Sequence, residues 1–330
     1  ADAVPIAEKV QYNAARSRAL YSASDDGVLV YQSGQTNDAV MALLDSHGAR
    51  IAVLGERGVQ RLRFSPDGKK IVYDKPDTKT GRSDIWVYDL SRHIASRLTF
   101  DPNTDIVPIW SPTGDSIVFS SNRTGRFGLY IKSAVGTGDE RLLYGGAGDY
   151  YATSWSNDGR QISVSTLGDP KTKNDLWMLS MTGDRTLTPF FKSEFNEWLG
   201  RFSPDSRWIA FQSDETGKYE VYVRASDGSG GKWQISPSGG TDQNWGHDGR
   251  TLFFGAADRR LLCAHLSGAG ATMVVDSVST VFDYEAKGIV GSGVEPSVDD
   301  HAFLARILEM QGGVSPLTLV VHWNKDLQKP

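Results

Sequence analysis

The chain has 330 residues, 39% of them hydrophobic and 10% aromatic, enough apolar material for a sizeable core. Lys and Arg number 35 against 40 Asp and Glu, a net charge of -5 with both signs scattered, which excludes a basic stripe for nucleic acid. A lone cysteine, Cys263, excludes an internal disulfide framework and a cysteine-rich zinc site, and the apolar run at Leu317–Val321 is far too short for a membrane span.

In chain order, Ala1–Pro5 has neither the basic region nor the apolar core of a signal peptide, and Val4–Val10 is expected to form an edge strand. Pro5 suits such an edge because it has no amide hydrogen to donate. A turn marker then recurs along the chain. Its clearest form is Phe64-Ser65-Pro66-Asp67-Gly68, with near copies at Trp110–Gly114, Trp155–Gly159 and Phe202–Ser206 and weaker ones at Ser24–Gly27, Trp245–Gly249 and Ser297–Asp300. Measured at the Ser position, the markers stand at 24, 65, 111, 156, 203, 246 and 297, spaced by 41, 46, 45, 47, 43 and 51 residues. A period of about 40–50 residues is that of a four-stranded propeller blade.

Within each period an apolar strand enters the marker turn, where Pro fixes φ, Gly accepts a positive φ and Asp bonds local amides. A second strand leaves, as at Ser116–Phe119, and a polar hairpin leads to a third, as at Ile85–Tyr88 or Leu176–Leu179. A more polar fourth strand closes the unit, as at Arg97–Thr99. No window carries sustained helical spacing. The reading is an all-β, seven-bladed β-propeller of four-stranded antiparallel blades, one domain over 1–330, with residues 1–12 completing the last blade as its outer strand and Leu317–Trp323 as its third. Trp86, Trp110, Trp155, Trp177 and Trp245 are expected between neighbouring sheets. Ser206 and Asp300 replace the turn glycine, Thr113 the aspartate and Gly246 the serine, which argues against a symmetric ring of metal sites.

The Ser-Pro-Asp-Gly turn, preceded by Trp or Phe and followed by a short apolar strand, resembles the TolB-type propeller repeat of bacterial envelope proteins. Phe202–Asp205, Glu220–Arg224, Gly230–Ser236, Gly239–Asp242 and Leu319–Asn324 also look like the C-terminal extracytoplasmic propeller of bacterial transmembrane serine/threonine protein kinases. That resemblance implies a periplasmic or extracellular sensor or docking domain.

No Gly-x-Ser-x-Gly, His-Glu-x-x-His or phosphate-binding glycine loop occurs. The six histidines fall at different repeat positions, so no metal is expected. Asp101-x-Asn103-x-Asp105 starts like a calcium loop but has Ile106 where the glycine belongs. The entries to the innermost strands are the candidate ligand site, since such loops gather at one channel mouth. They comprise Arg61, Asp105, Tyr150, Tyr151, Asn196, Glu197, Trp198, Asp242 and Gln243. Aromatics and carboxylates together suit a peptide, protein or cell-wall glycan. The expected function is therefore non-catalytic binding or sensing by a monomer without cofactor. The alternative is a polysaccharide lyase or glycosidase with its site at the same mouth.

Overall fold

The computed structural model describes residues 12–13, 18–19, 21–24, 28–32, 39–268, 272–291, 293–308 and 317–321. All its regular elements are strands, and the chain divides into two compact units, residues 40–307 and residues 1–39 with 308–330. Each marker position, from Ser24 to Ser297, falls between the first two strands of a sheet, as the repeat requires.

Six of these sheets have four strands each. Blade 1 is Gln60–Phe64, Lys70–Pro76, Ser83–Asp89 and Ile94–Arg97; blade 2 is Asp105–Trp110, Ser116–Ser121, Gly128–Ser133 and Arg141–Tyr144. Blade 3 is Tyr150–Trp155, Gln161–Asp169, Lys173–Ser180 and Leu187–Phe191; blade 4 is Glu197–Phe202, Trp208–Ser213, Glu220–Ala225 and Lys232–Gln234. Blade 5 is Thr241–Trp245, Thr251–Gly255, Arg260–Ser267 and Val274–Asp283. Blade 6 takes its inner strands, Glu295–Pro296 and Ala302–Leu308, from the last repeat and its outer ones, Ala39–Asp45 and Arg50–Arg57, from the first.

Strand alternation packs these blades face to face. In Lys70–Pro76, Val72 joins Trp110 and Phe119 of blade 2, while Ile71 and Tyr73 join Met41 and Leu304 of blade 6. Four further buried clusters join blades 2 and 3, 3 and 4, 4 and 5, and 5 and 6. Six interfaces for six blades close the ring, and the shared sixth blade removes the open edge that a linear array would leave.

The sheet led by Ser24, expected as one more four-stranded blade, is a three-stranded sheet in the other unit, formed by Tyr21–Ala23, Val28–Gln32 and Leu317–Val321. The placement of Leu317–Val321 corrects the expectation that it is the third strand of the last blade. It pairs with Val28–Gln32 from Leu317–Gln32 to Val321–Val28, and the third place in blade 6 goes to Ala39–Asp45, whose Val40, Met41, Ala42 and Leu44 are fully buried. An apolar strand with two buried faces wins an interior position over one whose Leu319 and Val321 lie exposed. Blade 6 thus has its four strands without an N-terminal outer strand. Val4–Val10 lies outside the described residues, and Tyr12–Asn13 pairs with Arg18–Ala19 in a separate two-stranded sheet.

The marker turn has a common mechanism. Ser65 Oγ donates to Asp67 at 2.6 Å and accepts the Lys70 amide at 2.9 Å, while Asp67 accepts the Lys69 amide. The same relay recurs at Ser156–Asp158, Ser203–Asp205 and Ser297–Asp299. The drifted copies repair it locally. Ser111, facing Thr113 where the aspartate belongs, donates instead to Asp115 at 2.9 Å. At Gly246 the missing hydroxyl is supplied by Thr251, which donates to Asp248 at 3.0 Å.

Of the recurrent indoles, Trp110 and Trp245 are buried between sheets, and each donates to a carbonyl of the preceding blade, Arg63 at 3.2 Å and Arg201 at 3.0 Å. Trp86, Trp155 and Trp177 are half-buried against the same kind of interface.

Candidate functional site

The inner strands of the six blades surround a cavity of about 400 Å³. Its walls come from blade 1 (Arg61, Arg63), blade 2 (Ile106, Val107), blade 3 (Tyr151, Thr153), blade 4 (Trp198, Leu199, Arg201), blade 5 (Asp242, Asn244) and blade 6 (Glu295, Leu304, Arg306).

A repeated bulge turns these side chains inward. Each inner strand of blades 1 to 5 shifts register against its neighbour, between Gln60 and Arg63, Ile106 and Ile109, Ala152 and Ser154, Trp198 and Arg201, and Thr241 and Asn244. In four of them the bulged residue is a non-glycine at positive φ: Arg61 at 48°, Val107 at 55°, Leu199 at 56° and Asp242 at 54°. A β-branched Val in that region is strained, and such strain persists only where the surroundings impose it. Here the preceding blade does so. The amide of Val107 donates to Asp74 at 3.3 Å, that of Leu199 to Ser165 at 3.2 Å and that of Asp242 to Gln212 at 3.2 Å. All three acceptors lie on second strands, nine residues after their marker Ser. The bulge also explains why consecutive residues, such as Ile106-Val107 and Trp198-Leu199, share the cavity wall.

Four of the nine expected residues come together at this cavity: Arg61, Tyr151, Trp198 and Asp242. Arg61 is ion-paired at 2.8 Å with the fully buried Asp74, whose carboxyl is raised above its ordinary range by desolvation despite that partner. The Tyr151 ring lies 5.3 Å from Phe127, and burial together with the Asp149 charge pushes its hydroxyl up to about 12.

The other five do not line it. Asp105 and Glu197 occupy the same repeat position, six residues before the marker Ser, and both are fully buried within the ring wall. Asp105 meets Arg123 at 3.2 Å, Glu197 accepts from Ser193, and desolvation raises both carboxyls. Tyr150, at that position in blade 3, packs edge-on against Tyr144 at 5.1 Å. Asn196 is held by Asp214, and Gln243 donates to the carbonyls of Leu199 and Ala210. The calcium-like run has a guanidinium among its acids, for Arg123 lies 3.7 Å from Asp101, 3.2 Å from Asp105 and 2.6 Å from Glu140. Among the described residues no group of three His, Cys, Asp or Glu could hold a metal.

The sequence reading missed Arg63, Arg201, Asn244 and Glu295, which all stand two residues before a marker position. The signal was present in the shared Arg-Phe-Ser-Pro-Asp at 63–67 and 201–205. Arg63 pairs with Glu295 across the seam between blades 1 and 6 at 2.7 Å, and Arg201 donates to the Thr153 carbonyl of blade 3.

Comparisons with known proteins agree with this architecture. The uncharacterized peptidase YuxL of Bacillus subtilis is 26% identical over 205 residues, covering 49% of this chain and 31% of its own, and the Tol-Pal system protein TolB of Helicobacter pylori is 25% identical over 162 residues, covering 48% and 37%. The chain therefore spans about a third of the length of these relatives. Among solved structures, a protein of Agrobacterium tumefaciens designated TolB superposes with a TM-score of 0.64 at 18% identity over 83% of this chain and 99% of that one. An oligogalacturonate lyase in complex with manganese superposes at 0.56 with 13% identity over 92% and 81%, a likeness of fold alone. The family model of the TolB β-propeller domain matches residues 22–198, more than half of the sequence, and the chain belongs to that family.

Proposed function

We propose that the chain is a non-catalytic binding and sensing propeller of the bacterial envelope, taking an extended peptide or a protein segment into the channel between Tyr151, Trp198 and Asp242. The observation that carries this reading is the built wall. Strained bulges at Val107, Leu199 and Asp242, each held by a buried acceptor in the blade before it, aim apolar and charged side chains at one cavity. Rigid placement of a few polar groups within an apolar pocket favours ligand binding. The likeness to TolB and the resemblance to kinase-linked propellers support a periplasmic, signal-receiving role. Arg61 and Asp74 already satisfy each other, as do Arg63 and Glu295, so these four groups suit positioning better than proton transfer.

The test is to pan a random peptide library against the protein and measure recovered peptides by calorimetry. Binders should lose at least tenfold in affinity with Tyr151→Ala and Trp198→Ala at unchanged melting temperature. Recovery of no binder, or of binders indifferent to both changes, would sink the proposal.

A further inference from the structure

The position nine residues after the marker is an acceptor in blades 1, 3 and 4, where Asp74, Ser165 and Gln212 cap the bulge of the following blade. In blade 6 that position is Arg306, a side chain with donors only. It cannot cap the bulge of blade 1 at Arg61. Instead its guanidinium lines the cavity, and among the described residues it makes no hydrogen bond or ion pair. Among the described residues two other charges on the wall lack an ion-pair partner, Asp242 and Arg201, whose guanidinium donates to the Thr153 carbonyl. Counting Asp74 behind Arg61, the wall holds four guanidiniums (Arg61, Arg63, Arg201, Arg306) against three carboxylates (Asp74, Asp242, Glu295). This leaves one positive charge in excess inside a chain of net charge -5.

We infer that Arg306 is the receptor for a carboxylate carried on an apolar body, the free C-terminus of a peptide, which enters the channel with its last side chain against Trp198 and Leu199. This deepens the binding role proposed above and rests on it. A guanidinium presents paired donors matched to the two oxygens of a carboxylate. The surroundings leave room for such a partner, since burial pushes the Arg306 guanidinium below its ordinary value, with the Arg61 charge adding to the fall and the nearby Asp74 and Asp242 carboxylates offsetting only part of it. An anion in direct contact reverses that cost. The cavity, about 400 Å³, admits one or two residues and not a folded domain.

The probes are hydrocinnamate, hydrocinnamamide and the dipeptide N-acetyl-Ala-Phe as free acid and as amide, titrated while the arginine side-chain Nε–H signals are followed by NMR. Both acids should shift the Arg306 signal and bind at least tenfold more tightly than their amides, and Arg306→Gln should remove that preference. The acid–amide comparison is made on the unaltered protein and does not depend on the variant folding. A dipeptide acid at least tenfold tighter than hydrocinnamate assigns the site to a peptide terminus, and equal affinities overturn that source in favour of a small organic acid. Acids and amides bound alike, and both weakened by Trp198→Ala, would overturn the carboxylate reading and leave the binding role standing. Binding by neither overturns it as well, and the library experiment then decides the binding role independently.

Discussion

The backbone amide of His247 donates to the carboxylate of Asp300 at 2.7 Å, joining the marker turn of blade 5 to that of blade 6. The same clasp joins blades 3 and 4, where the Asn157 amide donates to Ser206 Oγ at 2.9 Å. Asp300 and Ser206 are the residues that replace the turn glycine, and both stand at positive φ, 57° and 60°. Their departure from the repeat therefore exchanges backbone strain for a bond between blades.

Restoring the glycine should consequently fail to stabilise. Asp300→Gly loses a charge-assisted hydrogen bond of about 1.5–3 kcal/mol and recovers about 1 kcal/mol of strain, the low end of the range because Asp tolerates the left-handed region. Urea unfolding should show a net loss of about 0.5–2 kcal/mol, and a gain would refute the clasp.

Restoring the serine at Gly246 should also be harmful. A Cβ there would fall within the space of the Thr251 hydroxyl, so Gly246→Ser is expected to cost about 1–3 kcal/mol by overpacking. Adding Thr251→Ala frees that space and lets the new hydroxyl take over the relay. The pair should show a coupling of at least about 1 kcal/mol in a double-mutant cycle, whereas simple additivity would show that the two positions do not share one hydroxyl site.

Trp110 ties the wall to the cavity, because its indole fills the interface between blades 1 and 2 and its N–H bonds the carbonyl of Arg63. Trp110→Ala should cost about 3–5 kcal/mol, as deletions of large buried aromatics do. Trp110→Phe keeps most of the packing, should cost less than half as much, and should still loosen ligand binding by releasing Arg63. Thermal denaturation and peptide affinity measured on both variants check the two halves of this expectation.

Acid should act first on the marker turns. Asp67, Asp158 and Asp299 have carboxyls held below the ordinary 3.8, chiefly by the hydroxyls of Ser65, Ser156 and Ser297 and next by backbone amides. A lowered folded-state value means that the native state binds fewer protons than the unfolded one. Their contribution is thus complete above about pH 3.8 and is lost as pH falls through the lowered values. Asp74 and Glu295 act in the opposite sense, since desolvation raises their folded values and their contribution declines as pH rises through them. Replacing Ser65, Ser156 and Ser297 by alanine should flatten the fall in melting temperature between about pH 4 and pH 2.5. An unchanged acid limb would count against the relay.

Much of the scaffold was legible from local chemistry. Turn residues, period-two alternation and a repeat of 41 to 51 residues suffice to specify four-stranded sheets, because each depends on neighbours close in sequence. The sharing of blade 6 was not legible. Whether Ala39–Asp45 or Leu317–Val321 lies beside Ala302–Leu308 is a competition between segments far apart in the chain, decided by which one can bury both faces.

The candidate site divides in the same way. Strand entries rich in aromatics and acids pointed to Tyr151, Trp198, Arg61 and Asp242, yet their neighbours Tyr150, Glu197 and Gln243 turn into the wall. A one-residue bulge decides which face each side chain takes, and the amide that sustains the bulge is capped from the preceding blade. What the amino-acid order determined by itself was the blade, its turn chemistry and the positions repeated at fixed offsets from each marker. Tertiary structure alone decided that six blades close the ring, that the wall arginines converge and that Arg306 lines the cavity without an ion-pair partner among the described residues. Those outcomes depend on contacts between blades, which no single repeat contains.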